Sequence, residues 1–422
     1  MRKRIKKVAL IIHGLHGGGA EKVAAELMNR LAENYKVTAI FLEKEEPRDY
    51  YLSPKVEKKF FLWELRPEMT YIDYQDPELM EYFRVRDIGR FRLERKFDCV
   101  ISFLETGNFL NVLSRGAGRT YISIRNLSSQ KMAIQYKSEP QQQQQEKWLK
   151  MKMVDRFARA VICVSQDVAE DVVKHYRVPR RKTRVIYNWL DADWVVQRAQ
   201  ETPDDPNFYD YCQRHDFLFV ASGRMNIQKG QWHLIRAFAS LHRENPSAGL
   251  ILLGDGWGEY SIKESLMQDI ERFQLKDEVY LCGWQRNPHS YMKAADAFVL
   301  SSLYEGFSNT ALEAMALGLP AICDDCAGTR ELLTPNRPYG EEVHGVVHGD
   351  YGVVTPRLDT EWNDSGELNE GERFLYEAMK EMLEDSELRK HYRQKGLERV
   401  KDFAPDVIMR DWIRVVEGKR RR

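Results

Sequence analysis

The sequence predicts an α/β protein made of two doubly wound, parallel-sheet halves, and three observations carry that expectation. Apolar, strand-like runs alternate with helical patterns, the mark of parallel strands joined by crossover helices. The alternation breaks in a polar stretch, Asp193–Asp216, that contains Thr202-Pro-Asp-Asp-Pro206, and restarts at Phe217-Leu-Phe-Val-Ala221. Glycine-bearing segments follow strands in both halves, and ligands of open α/β sheets gather at the carboxyl ends of the strands. At 422 residues the chain is long enough for two to three domains.

In the first half, strands are expected at Lys7–His13, Tyr35–Leu42, Cys99–Phe103, Thr120–Ile124, Ala160–Val164 and Thr183–Tyr187. Helices fall between them, among them Ala20–Asn34 and Gln166–Tyr176. The second half continues with Leu250–Leu253, Val279–Leu281, Ala297–Leu300 and Pro320–Cys323. Asp193–Asp216 reads as a linker, and Asn336–Glu372, rich in Gly, Pro and acidic residues, as a surface insertion. Closing helices are expected at about Glu372–Phe403 and at Pro405–Glu417. Gln141–Gln145 is a low-complexity tract, and Glu146–Phe157 after it reads as an amphipathic helix. The domain division follows as 1–195, 196–400 and a terminal helix at 401–422.

Composition narrows the class. The chain is 43% hydrophobic and 30% charged, as soluble proteins are. No apolar run approaches the roughly 18 residues of a membrane span. The basic start, Met1 to Lys7, leads only into Val8–Ile12, too short for a signal-peptide core, so a cytoplasmic location is expected. Of six cysteines, only Cys323 and Cys326 are close in sequence, with no second pair or histidines at zinc spacing, so reduced, unligated thiols are expected. Net charge is zero, yet residues 1–200 are net basic and the rest net acidic. That asymmetry suggests an anionic partner. No nucleic-acid motif stands out, and a membrane surface or a pyrophosphate-bearing lipid suits it as well.

The most informative block runs from Ser302 to Pro320, directly after the apolar strand. It holds Glu305 in a glycine-containing loop and Glu313 eight residues on, in what reads as the first turn of a helix. A helix N-terminus offers unpaired N–H groups to phosphate oxygens, and carboxylates accept hydrogen bonds from sugar or ribose hydroxyls. Thr310-Ala-Leu-Glu313 is also a capping box, in which Glu313 merely reaches back to the helix start. Ser222-Gly223-Arg224-Met-Asn-Ile-Gln-Lys229-Gly230 follows the first strand of the second half. Its arginine fork and lysine point charge can clamp a diphosphate.

These blocks together resemble the retaining glycosyltransferases of family 4, whose donor signature is E-x7-E and whose architecture is GT-B. The resemblance implies two Rossmann-like domains facing each other across a cleft, with the C-terminal helix packed back on the first. It implies a nucleotide-diphosphate sugar as substrate, held by the block Gly306, Phe307, Ser308, Asn309, Thr310, Leu312 and Glu313, with Glu313 on the ribose. Glu305 would hold sugar hydroxyls, while Arg224 and Lys229 neutralise the leaving diphosphate. Leu252-Leu-Gly254-Asp-Gly256-Trp257-Gly258 and Cys282-Gly283-Trp284-Gln285 would frame the base, with Gly223 beside them. In the first half, the turn His13-Gly-Leu-His16-Gly17-Gly18-Gly19-Ala20-Glu21 is similar to the family's Gly-Gly-Ala-Glu turn, which faces donor phosphates or acceptor. His16, Glu105 and Asn108 are the acceptor-side candidates. Where many members have a histidine near the donor sugar, this chain has Arg125, which is counted with Glu305, Arg224 and Lys229 as catalytic.

The family's chemistry transfers the sugar with retention and needs neither cofactor nor metal. Asp191-Ala-Asp193 spells the metal motif of the other large glycosyltransferase fold but lies near the linker, so no metal is expected. Related enzymes often extend lipid-linked oligosaccharides or surface polysaccharides, and uridine donors are the commoner. The basic run Arg84–Lys96, with the basic N-terminus, could rest on an anionic membrane or hold a lipid pyrophosphate, or simply form a solvated basic helix. The alternatives are a GT-B accessory subunit without its own catalysis, or a nucleotide-sugar epimerase or phosphorylase of the same fold.

Overall fold

A computed structural model divides the chain into two compact units, each with its own sheet. It describes residues 4–62, 64, 77–135, 137, 141, 145, 148, 149, 152, 157–256, 258, 261–338, 340–362 and 366–419. Most of the glutamine tract and of the helix expected after it, and Trp257, lie outside the described residues.

The first unit gathers Met1–Ser128, Glu139–Tyr187 and Met409–Arg422. Its seven strands are β1 (Lys7–Ile12), β2 (Lys36–Phe41), β3 (Glu57–Phe60), β4 (Cys99–Phe103), β5 (Arg119–Ile124), β6 (Ala160–Cys163) and β7 (Thr183–Val185). They lie in the order β3-β2-β1-β4-β5-β6-β7, and every pairing is parallel. Central β1 meets β2 and β4 at once, with Val8 beside Val37 and Cys99, and Val8 to Ile12 are wholly buried. Burial on both faces is why such strands read as unbroken apolar runs. The strand missed in the sequence, β3, is Glu-Lys-Lys-Phe at the sheet edge, where charged side chains block further pairing. The terminal residues belong here as expected: Trp412 is fully buried and stacks on Phe103, and Lys6 Nζ donates to Glu417 at 2.9 Å.

The basic run is a different object from the one expected. On the helix Pro77–Arg95, Arg92 is buried and donates to the carbonyls of Asn111 (2.6 Å) and Ser114 (2.8 Å) and to the Thr120 hydroxyl (3.0 Å). Arg84 donates to the carbonyls of Leu42 and Phe61, and Arg95 pairs with Glu57. Much of the positive charge is therefore spent on closing the unit's own turns.

The second unit comprises Ser129–Ser138 and Asn188–Ile408. Its strands are β8 (Phe217–Ser222), β9 (Ala248–Leu253), β10 (Val279–Gly283), β11 (Ala297–Leu300), β12 (Ala321–Asp324), β13 (Val347–His348) and β14 (Val353–Thr355). The order is β10-β9-β8-β11-β12-β14-β13, parallel except for the last pair. Residues 129–138 fall here rather than in the first domain as expected: Ile134 packs on this core, and Tyr304 donates to Gln135 at 3.0 Å.

Three other expectations are corrected. The linker is two helices, Ala192–Ala199 and Pro206–Gln213, capped by Asp191 and Asp205, whose side chains accept the N–H of Trp194 and Asn207. The first aspartate of the D-x-D run is thus a helix cap. The surface insertion supplies β13 and β14 to the sheet, and Trp362 stacks on Trp232 at 4.8 Å. Its end is held by a buried cluster in which Glu372 accepts from His233 and Arg236, each at 2.8 Å. The long closing helix is two, Glu370–Glu384 and Ser386–Arg399, broken at Asp385, which caps the second.

Candidate functional site

In the second unit, β11 delivers a loop that carries Glu305, followed by the helix Asn309–Ala316. Its cap is Ser308, whose Oγ accepts the N–H of Ala311 at 3.2 Å. Thr310 therefore sits inside the first turn and contacts Ser308 Oγ at 3.2 Å, and Glu313 lies two residues beyond the capping-box position, which Ala311 occupies. The capping-box reading is corrected by this geometry, as is the placing of Glu313 in the first turn. Glu313 is left as a carboxylate with only 5% exposure and no cap to serve. Phe307 and Leu312 are buried, Phe307 against Phe403 at 5.2 Å, so their side chains pack the loop and helix in place. Asn309 accepts a hydrogen bond from Asn188.

Glu305 is nearly buried, accepts the Ser302 hydroxyl at 2.9 Å and pairs with Lys229 Nζ. Lys229 closes a short turn before the helix Gln231–Glu244. That turn is laced to the Glu305 loop by Leu303 N–H to Gln228 O (2.8 Å), Gln228 Nε2 to Tyr304 O (3.0 Å) and Ser301 Oγ to Lys229 O (3.0 Å). The lacing requires Gly230, with φ +55° and a Cβ position only 2.3 Å from Ser301 O. Arg224, exposed at the start of the same loop, has its carbonyl fixed by Gln231 Nε2 at 3.0 Å.

The glycines expected around the base also converge. Gly223 N–H donates to Leu253 O and Gly254 N–H to Gly283 O, each at 2.9 Å, so the ends of β8, β9 and β10 are joined. Gly254 has φ +122°, and a Cβ there would lie 2.0 Å from Gly223 O. Gly256 is hemmed in by Ser261, while Gly283 has open space about it.

Two groups here escaped the sequence reading. Asp324, at the end of β12 beside Thr355, is buried, and burial pushes its carboxyl well above the usual carboxylate range, with the charge of Glu305 adding to the effect. Burial likewise raises the Cys323 and Cys326 thiols, which are free. His289, on the short helix Pro288–Met292, is buried with Nε2 3.4 Å from Glu313 Oε2. A lone histidine after Asn-Pro carries no sequence signal that would reveal this.

In the first unit, Gly18 precedes the helix Gly19–Leu31, and Glu21 folds back so closely that a Cβ on Gly18 would lie 2.0 Å from its Oε2. His13 Nε2 lies 3.6 Å from Glu21, and His16 lies between Glu43 (3.5 Å) and Asp49 (3.4 Å). Glu105 is exposed at the start of the helix Glu105–Leu113. Asn108 is buried: its carbonyl accepts from Ser102 Oγ at 2.7 Å and its amide donates to Ser123 O at 3.0 Å. The amide expected to meet an acceptor thus ties β4 to β5. Arg125 follows β5, 5.7 Å from the Phe103 ring, and burial lowers its pKa.

Residues 213–347 match the family model described as glycosyl transferases group 1, and residues 17–194 that of glycosyltransferase family 4. A glycosyltransferase of Methanocaldococcus jannaschii is 36% identical over 268 residues, a match that spans 62% of this chain and 64% of that one, just under two thirds of its length. Across 98% of this chain and 100% of its own length, a Campylobacter jejuni protein is 26% identical. It is named N-acetylgalactosamine-N,N'-diacetylbacillosaminyl-diphospho-undecaprenol 4-alpha-N-acetylgalactosaminyltransferase. Among solved structures, Anabaena HepE in complex with UDP-glucose superposes with a TM-score of 0.70 over 98% of this chain and 99% of its own, at 18% identity, a likeness of fold.

Proposed function

The chain is a family 4-type glycosyltransferase of the GT-B fold, and on that premise we propose that it transfers a sugar, with retention, from a uridine diphosphate sugar to a lipid-pyrophosphate-linked glycan. The observation that carries the donor half is the convergence in one unit of Arg224, Lys229, Glu305, the helix at Asn309 and Glu313. Cations and a helix N-terminus suit a departing diphosphate, and preorganised charge of this kind is the largest single term in many enzymes. Arg224 grips the diphosphate as a fork. Lys229 adds charge from donors not spent on Glu305, and no metal is called for. Glu305 holds sugar hydroxyls and Glu313 the ribose.

The acceptor half has the support of the Campylobacter relative, whose name specifies a diphospho-undecaprenol-linked acceptor and an α-linked product. Uridine has the support of HepE, which shares the fold and was solved with UDP-glucose. Among the described residues no helix is long and apolar enough to cross a membrane, so contact with a lipid-borne acceptor is proposed as peripheral.

The test incubates the protein with single uridine diphosphate sugars and a synthetic undecaprenyl-diphosphate-linked glycan, with and without a chelator. Acceptor-dependent release of uridine diphosphate and an α-linked product are expected, unchanged by the chelator and lost in Glu313→Ala. Nucleotide release that ignores the acceptor, or a β-linked product, overturns the reading.

A further inference from the structure

Among the described residues, His289 is the one buried histidine in contact with a carboxylate of the proposed donor site, and no role proposed so far uses it. It is 3% exposed, and among the described residues neither of its ring nitrogens has a hydrogen-bond partner. A buried polar group without a partner costs stability, so its persistence asks for an explanation. Nε2 stands 3.4 Å from Glu313 Oε2, near enough to close into a hydrogen bond with a small movement of either side chain. Trp194, from the helix Ala192–Ala199, meets the imidazole edge to face, with ring centroids 5.5 Å apart and planes at 82°. The ring is therefore held with one nitrogen toward the carboxylate.

We infer that His289 is a positioning residue for Glu313: it holds one carboxylate oxygen so that the other meets the ribose hydroxyls of the nucleotide. The inference rests on the donor-site reading given above. A neutral imidazole with its proton on Nε2 is enough to donate to Glu313. Hydrogen bonds that serve a ligand are often long without it and tighten when it binds. A carboxylate free to rotate accepts one hydroxyl about as well as another. One pinned at Oε2 presents its remaining oxygen in a fixed direction, which favours a ribose over a 2′-deoxyribose.

The experiment compares binding of uridine and guanosine diphosphates, each beside its 2′-deoxy counterpart, to wild type, His289→Phe, His289→Gln and Glu313→Gln, by calorimetry, with melting temperatures recorded for all four. A hydrogen bond to a charged group sets the scale, so His289→Phe loses about tenfold or more in affinity for the ribonucleotide. It binds the deoxynucleotide as wild type does, and His289→Gln, whose amide still donates, keeps most of the preference. Equal loss for both nucleotides with a lowered melting temperature assigns His289 to packing alone and overturns the inference. So does an unchanged preference in His289→Phe while Glu313→Gln loses it. Failure of wild type to bind any nucleotide overturns the donor-site reading first and this inference with it.

Discussion

Replacing Lys229 by methionine separates what the lysine does for the fold from what it does for a ligand. Methionine keeps the apolar stem and removes the ammonium. Glu305, with 10% of its side chain exposed, then loses its cation and keeps the Ser302 hydroxyl at 2.9 Å. Removing one partner of a buried pair costs about 3–5 kcal/mol, because the other charge stays behind uncompensated. The Ser302 bond and the residual exposure put this case at the lower end, about 3 kcal/mol. The double variant Lys229→Met/Glu305→Gln carries no stranded charge, and its amide still accepts from Ser302, so it regains about 2 kcal/mol of that loss. Urea titration followed by tryptophan fluorescence reads this unit through the Trp232–Trp362 stack. Calorimetry with uridine diphosphate reads the ligand: affinity falls about tenfold or more in the single variant and does not return in the double. A single variant within about 1 kcal/mol of wild type, or a double variant no steadier than the single, refutes the claim that the pair is desolvated and formed in solution.

Gly254→Ala puts a Cβ 2.0 Å from Gly223 O at φ +122°, and a strained backbone there lowers stability by about 1–3 kcal/mol and weakens nucleotide binding; an unchanged melting temperature refutes it. Asp324 carries a carboxyl that burial raises well above its ordinary value, so its contribution is full at low pH and is lost as pH rises from about 4 through the folded-state value. Asp324→Asn cannot ionise and gains stability relative to wild type as pH rises above about 4, whereas a pH-independent difference in melting temperature counts against it. Glu372 has the opposite sign. Burial works to raise its carboxyl, but the bonds from His233, the Asn369 backbone and Arg236 win and hold it below the usual range. Glu372→Gln therefore costs about 3–5 kcal/mol at neutral pH, a loss that shrinks as wild type is titrated below about pH 4, and a constant loss across that range sinks the account.

The sequence made the architecture legible wherever burial on both faces wrote an unbroken apolar run, as at Cys99–Phe103 and Ala297–Leu300, whose bounds agree with the structure. It failed where a strand pays nothing to be polar. Glu57–Phe60 sits at a sheet edge, and Val347–His348 pairs on one side only. The helices after Asp191 and Asp205 had their caps in plain view, and the second had Pro206 in its first turn. Brevity and polarity hid both, since short helices are set by packing more than by propensity. At the candidate site, the loops could be read from glycine and charge, but the cap could not. Ser308 and Thr310 both offer a hydroxyl, and only the backbone path decides which one receives an N–H.

That difference bears on the site's electrostatics. A diphosphate carries negative charge, and the proposed donor site gathers Glu305, Glu313 and Asp324, an arrangement that on a plain charge count would repel it. The geometry disposes of each carboxyl in its own way. Glu305 is paired with Lys229, and burial pushes the Asp324 carboxyl well above the usual carboxylate range, which disfavours its charged form. Glu313 serves no cap and faces the His289 imidazole. Arg224 stays exposed on the loop after β8, and the helix from Asn309 begins at the end of the loop that carries Glu305. On the proposed donor-site reading, the field that an entering phosphate meets is set by Arg224, the helix end and the remaining Lys229 donors more than by three carboxylates. The first unit teaches the converse. Arg84, Arg92 and Arg95 make its helix look like an anion-binding face, yet the structure spends all three on carbonyls, a hydroxyl and Glu57. The sign of a charged stretch says little about its partner until the groups that already satisfy it are known.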